Sequence, residues 1–104
     1  MSAAAIVWPP LDVADVDLLE FDFSLYAAGI AITAALCTCE VARGVHATPS
    51  AVLLGLPVVV GSKVYQRVQG AGGVADVQYH IRMRAELADG RVRVLAGILP
   101  ITRL

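Results

Sequence analysis

Charged residues are scarce in this sequence. Lys, Arg, Asp and Glu make up 16% of its 104 residues, whereas about 25% is usual in soluble domains. A formal net charge of −1 gives no indication of the basic face that nucleic-acid-binding proteins use. We therefore expect no nucleic-acid partner.

Cysteine is scarce as well, and the two residues present lie close together. Cys37 and Cys39 share one face if they lie on a strand, but such neighbours diverge, so we expect no disulfide between them. With His46 they provide three of the four ligands that a zinc site needs, and the remaining histidine, His80, points outward from its strand. The sequence therefore predicts buried free thiols and no metal. Since no disulfide is expected, the chain is compatible with a reducing compartment.

Residues typical of a catalytic site are missing. A Cys–His pair would need an orienting group and oxyanion donors, and nothing in the sequence nominates either. The glycine-rich residues 70–73 precede a strand, whereas a phosphate-binding loop precedes a helix. We expect neither an enzyme nor a bound cofactor.

Long uninterrupted hydrophobic runs are also missing. Residues 25–39 carry no charge but are shorter than the roughly 20 residues of a spanning helix. Residues 44–62 are interrupted by Pro49, Gly55 and Pro57. Because neither run is suited to a spanning helix, we expect no membrane insertion. The first ten residues contain no basic segment, so we also expect no signal peptide.

What the sequence has in excess is apolar residues. They make up 58% of the chain, against about 45–50% in soluble domains. A chain of this length forms one domain, and a domain this small buries only about two-thirds of its unfolded surface. Part of the apolar surface is therefore expected to contact a partner; the alternative is an Ala- and Val-rich monomer.

The clearest structural pattern lies near the C-terminus. Residues 77–87 alternate without interruption between apolar and polar side chains, which predicts a half-buried β-strand. Asp89 and Gly90 then predict a tight turn into a second strand. A two-residue turn pairs Leu87 with Val92, so that the apolar sides of both strands coincide.

The predicted register of this hairpin identifies a candidate protein-interaction surface. It places Glu86 opposite Arg93 as an outward ion pair. Farther from the turn it places arginines and a histidine beside exposed leucines, a combination typical of protein–protein contacts; the alternative is a solvated face with leucines covered by a loop. The only tryptophan either fills the end of the core or docks on a neighbouring subunit. The candidate interface residues are Trp8, His80, Arg82, Arg84, Leu95 and Leu99.

Strand-like segments recur along the chain with turn residues between them. About seven short strands at 8–12-residue spacing are typical of an antiparallel β-sandwich. We expect residues 1–14 to form an N-terminal arm or edge strand and residues 15–104 to form the sandwich. Residues 30–41 are predicted to be a central strand covered on both faces, and residues 70–73 a flexible turn.

Three motifs resemble the phage fibre–tail adaptor proteins, a family of small tailed-phage structural proteins. Phe-Asp-Phe-Ser-Leu at residues 21–25, followed by a short Ala-Gly connector and a strand, is similar to the start of that family. Residues 68–79 resemble its Gly-rich turn entering a strand, and Ala-Asp-Gly-Arg at residues 88–91 resembles its hairpin. The resemblance covers residues 15–101. It implies an immunoglobulin-like sandwich without catalytic residues.

The resemblance also implies a role in a virion. Such a protein acts at a head–tail or tail–fibre junction through contacts with other tail, neck or fibre proteins and with copies of itself around a symmetry axis. It is assembled in the cytoplasm of the host bacterium. The alternatives are a capsid decoration protein and a bacterial sandwich module that binds carbohydrate or protein, which should carry a cluster of exposed aromatic residues.

Overall fold

Eight β-strands make up most of residues 6–103, the part of the chain that the computed structural model describes. The strands are β1 (Ile6–Val7), β2 (Leu11–Asp12), β3 (Val16–Asp22), β4 (Ile32–Arg43), β5 (Leu53–Val60), β6 (Lys63–Gln69), β7 (Gln78–Leu87) and β8 (Val92–Thr102). One helical turn, α1 (Ser24–Ala27), and two 3₁₀ turns, Pro49–Val52 and Gly70–Gly72, lie between them. Residues 1–5 of the predicted N-terminal arm, and residue 104, lie outside the described residues.

The strands form two sheets that pack against each other. One sheet has the order β1-β8-β7-β4, with the short β2 also paired to β8, and the other has the order β3-β6-β5. The prediction of an all-β sandwich is confirmed. The larger sheet is mixed rather than wholly antiparallel, because β1 and β2 run parallel to β8.

The hydrophobic core lies between the two sheets. Strands covered on one face turn every second side chain inward, and β3, β6 and β7 follow this pattern. Tyr79, Ile81 and Met83 of β7 and Phe21 of β3 are fully buried in one cluster. Each large apolar side chain contributes about 1.5–3 kcal/mol when fully buried, so these residues hold the sheets together.

The segment predicted as a central strand, residues 30–41, is an edge strand instead. It becomes β4, and among the described residues it pairs with β7 alone. Its inward side chains, such as Cys37 and Cys39, are apolar, but so are the outward Ala34 and Leu36, of which Leu36 is 56% exposed. The alternation in polarity is blurred for this reason and not because both faces are covered.

The β7–β8 hairpin forms, but its register differs from the prediction by one residue. Leu87 N–H donates to Arg91 O (2.8 Å) and Gly90 N–H donates to Leu87 O (3.0 Å), so the loop has three residues rather than two. Gly90 has a φ of +91°, the left-handed conformation that such a loop needs. The Asp89 carboxylate accepts the Arg91 N–H (3.1 Å). Because side chains alternate along a strand, the shift reverses the predicted inward and outward sides of β8.

The glycine-rich residues 70–73 form a packed turn and not a flexible one. A Cβ on Gly70 would collide with the backbone of Asp12, and a Cβ on Gly72 would collide with the backbone of Ala51. Glycine is needed at both positions because two other backbone segments pass close to the turn.

Candidate interaction surface

The larger sheet presents one side to the core and the other, here called the outer face, to its surroundings. The outer face carries the polar side chains of β7 that the sequence analysis singled out. His80, Arg82 and Arg84 alternate with buried residues and therefore project away from the core. Both arginines are exposed, and the histidine is half-buried.

Aliphatic side chains lie on both sides of this row. Cross-strand pairing places Arg84 between Leu36 of β4 and Val94 of β8, and places Arg82 beside Thr38 of β4. Leu36 is 56% exposed and Val94 is 39% exposed. A guanidinium group beside exposed aliphatic side chains can stack, donate several hydrogen bonds and exclude water in the same contact.

An ion pair along β7 orients one of the arginines. Arg84 Nη1 lies 2.8 Å from Glu86 Oε1. Both side chains are nearly half exposed, so the pair contributes at most about 1 kcal/mol to stability. The predicted pair between Glu86 and Arg93 is wrong, because Glu86 lies opposite Val92. The Arg93 guanidinium instead lies 5.2 Å from the ring centroid of Tyr26.

Two of the predicted interface residues, Leu95 and Leu99, lie on the inner face and not on the outer one. Leu99 is opposite Tyr79 and only 1% exposed, and Leu95 is opposite Met83 and packs against the core. The three-residue loop causes this correction, because it shifts β8 by one position. The aliphatic side chains that β8 presents on the outer face are Val92, Val94, Ala96 and Ile98.

Trp8 lies at the end of the core. Its ring contacts that of Phe21 edge to face, with centroids 5.5 Å apart and planes at 74°. Its backbone N–H donates to Ile98 O (3.0 Å), which continues the pairing of β1 with β8. Of the two roles considered for this tryptophan, filling the end of the core is the one that the geometry supports.

The sequence analysis missed the contribution of β4 to the outer face. Leu36 and Thr38 each lie beside an arginine of β7. The positions of Leu36, Thr38 and Glu40 share one parity, which could have placed them together on one side of a strand. Their partner strand was not readable, because β5 and β6 separate β4 from β7 along the chain.

The smaller sheet also exposes aliphatic side chains. Leu18 of β3 and Val58 and Val60 of β5 point away from the core and are more than half exposed. Leu56, within the irregular part of β5, is almost fully exposed. The excess of apolar residues in the composition is thus visible as exposed surface on both sheets.

Cys37 and Cys39 face inward on β4 and are free thiols. Burial raises the pKa of each thiol to about 12, because the thiolate would lose its hydration. In the part of the chain that the structure describes, no group of three or more His, Cys, Asp or Glu side chains is arranged to hold a metal ion.

His46 belongs to a hydrogen-bonded network that holds the loop between β4 and β5. Its Nδ1 lies 2.8 Å from the Tyr79 hydroxyl, and its Nε2 lies 3.3 Å from Thr48 Oγ1. The Tyr79 oxygen accepts the N–H of Val74 (2.8 Å), so its own hydrogen is assigned to His46 Nδ1. Both ring nitrogens of His46 therefore have structural partners.

An open cleft of about 400 Å³ lies at one end of the sandwich. Pro10 and Pro100 form part of its wall, and Arg43, Asp76 and Gln78 provide polar groups. This volume is near the lower limit for small-molecule pockets. The lining contains neither cysteine nor histidine, and it does not nominate a reaction.

The comparisons with known proteins found no relative of this chain. No family model matches the chain, and neither the curated proteins nor the solved structures contain a match. No helix within residues 6–103 is long and apolar enough to cross a membrane. Fold and surface define a small all-β sandwich with a mixed arginine and aliphatic face.

Proposed function

We propose that this chain is a structural protein of a tailed-phage virion and acts as a head–tail or tail–fibre adaptor through protein–protein contacts. The outer face of the larger sheet is the observation that carries this proposal. There Arg82 and Arg84 stand among exposed aliphatic side chains such as Leu36 and Val94. Arg is enriched in protein interfaces, and contact with a partner would remove this apolar surface from water.

The resemblance to the phage fibre–tail adaptor proteins supports the particle assignment. The motif at residues 21–25 covers the end of β3 and the first half of α1, and the motif at residues 88–91 forms the hairpin loop. The strand orders β3-β6-β5 and β8-β7-β4 are also consistent with the immunoglobulin-like arrangement that the family implies, in which two sheets with Greek-key connections pack face to face.

A carbohydrate-binding module has less support. Such a module needs a cluster of exposed aromatic side chains. Trp8 and Tyr26 both pack against the core, and Tyr26 also lies beneath Arg93. Tyr65 is on the smaller sheet, on the side that faces away from the core. These three rings do not form one aromatic platform.

Purified phage particles test the proposal directly. Particles prepared from a culture in which the encoding phage or prophage is induced should contain this chain, detected by mass spectrometry. Immunogold labelling should place it at the neck, tail or fibre base. Particles that lack the chain, or label spread over the capsid, would overturn the adaptor role.

Complementation connects the particle to the outer face. A phage in which the gene is interrupted should regain infectivity when the wild-type chain is supplied, but not when Arg82→Glu/Arg84→Glu is supplied. Arg67→Glu is the matched control, because Arg67 is an exposed arginine of the smaller sheet. Equal rescue by the double variant would contradict the assignment of the outer face.

A further inference from the structure

Three of the four sheet edges carry features that discourage strand addition. Natural proteins protect edges with very short strands, charges, prolines or bulges. On the larger sheet, β1 and β2 have two residues each within the described residues 6–103. On the smaller sheet, β3 carries carboxylates at Asp17, Glu20 and Asp22, and β5 contains Pro57 and a bulge with Gly55 at a φ of +77°.

The edge formed by β4 has pairing irregularities near both ends, between Ile32 and Ala34 and between Val41 and Arg43, but none of these features over residues 34–39. The strand has 12 residues, and its first eight, residues 32–39, include no charged residue and no proline. Within the described part of the chain, β4 pairs only with β7. Because a strand paired on one side leaves every second N–H and C=O pointing to the other, β4 offers a row of unpaired backbone groups.

We propose that a second copy of this chain pairs with β4 in antiparallel orientation, so that the larger sheets of two copies join into one continuous sheet. The two-fold axis passes beside Thr38, which lies opposite Thr38 of the second copy. An even register of this kind keeps inward side chains opposite inward ones, as a continuous sheet requires.

The sequence of β4 is self-complementary about Thr38. In this register Cys37 lies opposite Cys39 of the second copy and Ala35 lies opposite Val41, so inward apolar side chains meet inward apolar ones. The central Thr–Thr pair is one of the favourable cross-strand pairs. A register shifted to centre on Glu40 would instead place two carboxylates directly opposite each other, which is destabilising.

Charges on the outer face also match in the Thr38-centred register. Glu40 of the second copy lies opposite Leu36, which is itself opposite Arg84. Two strand spacings, roughly 10 Å between Cα atoms, separate Glu40 from Arg84. Long side chains can span this distance, so each Glu40 adds a carboxylate near the arginine row of the other copy.

The same two-fold axis covers part of the exposed surface on the smaller sheet. β5 lies close beside β4 without a strand ladder between them. An axis at β4 therefore brings the β5 strands of the two copies near each other. Leu56, in the irregular part of β5, is 87% exposed, and this approach would remove part of its apolar surface from water.

Sedimentation equilibrium on the purified chain tests this pairing without any virion component. The wild-type chain should approach twice its mass of 10.9 kDa as concentration rises. Thr38→Lys should weaken self-association at least tenfold, because two lysines would lie directly opposite each other at the centre of the interface. Val7→Lys, at the opposite edge of the same sheet, is the matched control and should behave like the wild type.

Disulfide trapping tests the register. Opposed residues of antiparallel strands have Cα atoms about 4.5–5.5 Å apart, which suits a disulfide. In a background that carries Cys37→Ala/Cys39→Ala, Thr38→Cys should therefore form covalent dimers under mild oxidation, whereas Leu36→Cys should not, because the native Cys37 and Cys39 also lie opposite each other in this register. Efficient trapping of Leu36→Cys instead would overturn the Thr38-centred register.

The self-association and the virion role fail separately. A single-chain mass at every soluble concentration, or dissociation by Val7→Lys in place of Thr38→Lys, would overturn pairing through β4. Neither result would affect the particle labelling that tests the adaptor role. Circular dichroism and thermal unfolding should show that Thr38→Lys retains the fold, since Thr38 is exposed.

Discussion

The Trp8 indole lies against Gly97 so closely that no side chain fits between them. A Cβ placed on Gly97 would come within 2.6 Å of two carbons of the indole ring and within 2.8 Å of the carbonyl oxygen of Ile6. The contact joins the N-terminal segment to β8, the strand with which β1 and β2 both pair. A missing side chain at residue 97 thus creates the space that the tryptophan fills.

We expect Gly97→Ala to destabilise the fold by about 1–3 kcal/mol, the usual cost of overpacking a filled site. The extra methyl group must displace the indole ring or the backbone of β1. The free energy of unfolding from urea titration measures this cost. In the Trp8→Leu background the same substitution should cost less, because the smaller side chain can move aside. Additive effects of the two substitutions would contradict the proposed contact.

A pair of substitutions on β8 tests the register of the hairpin. Leu99→Asp should abolish folding or cost more than about 4 kcal/mol, because it places a carboxylate in the core. Val94→Asp should cost about 1 kcal/mol or less, because Val94 is exposed on the outer face. Thermal unfolding followed by circular dichroism compares the two variants. The two-residue turn expected from the sequence would place Leu99 on the outer face, where Leu99→Asp is tolerated. A Leu99→Asp variant that folds would therefore support the two-residue turn.

The hairpin also shows how far the sequence could predict this fold. Alternation in residues 77–87 predicted the strand and its buried side correctly, because that pattern depends only on local geometry. In a three-residue loop Gly90 alone adopts the left-handed conformation, whereas in a two-residue loop Asp89 and Gly90 both adopt it. Both loops use the same residue types, so the sequence did not decide the loop length. One residue of error there was enough to place Leu95 and Leu99 on the wrong face.

The edge position of β4 was beyond prediction for a different reason. Small and apolar side chains on both of its faces are typical of a strand covered on both sides, and Leu36 and Cys39 do not reveal which of them faces the core. Only pairing with β7, a contact between distant parts of the chain, decides it. The sequence therefore predicted the outer-face residues that lie on β7 but not those that lie on β4.

Tyr79→Phe should cost about 1–3 kcal/mol, because it removes a hydroxyl that serves two partners. The N–H of Val74 and the Nδ1 of His46 would each lose a part-buried hydrogen bond, and polar groups left without a partner away from water are costly. Tyr65→Phe, on an outward tyrosine of β6, is the control and should change stability by less than about 0.5 kcal/mol. Equal urea midpoints for both variants would contradict the network.

Two exposed carboxylates should make the fold less stable in acid. Hydrogen bonds lower the pKa of Asp22, mainly from the backbone N–H of Ser24, and that of Asp89, mainly from the backbone N–H of Arg91. A folded-state pKa below the unfolded one stabilises the fold above the unfolded-state pKa, and this contribution is lost as the pH falls through the folded-state pKa.

The isosteric variant Asp22→Asn/Asp89→Asn tests this contribution. It should lose less stability than the wild type between about pH 5 and about pH 2, the range in which such carboxylates are protonated. Urea midpoints measured across this range give the comparison. Identical pH profiles for the variant and the wild type would show that these two carboxylates do not contribute to the loss of stability in acid.

The thiols of Cys37 and Cys39 should react slowly while the chain is folded. Burial raises their pKa values from 9.0 to about 12, which lowers the thiolate fraction on the order of a thousandfold, and the thiolate is the reactive form. An aromatic disulfide reagent at mildly alkaline pH should modify them quickly in denaturant and far more slowly in buffer. Val94→Cys provides a matched exposed thiol on the same sheet and should react quickly in both conditions. Rapid modification of the wild-type chain in buffer would mean that β4 separates readily from the core, which contradicts the inward placement of both cysteines.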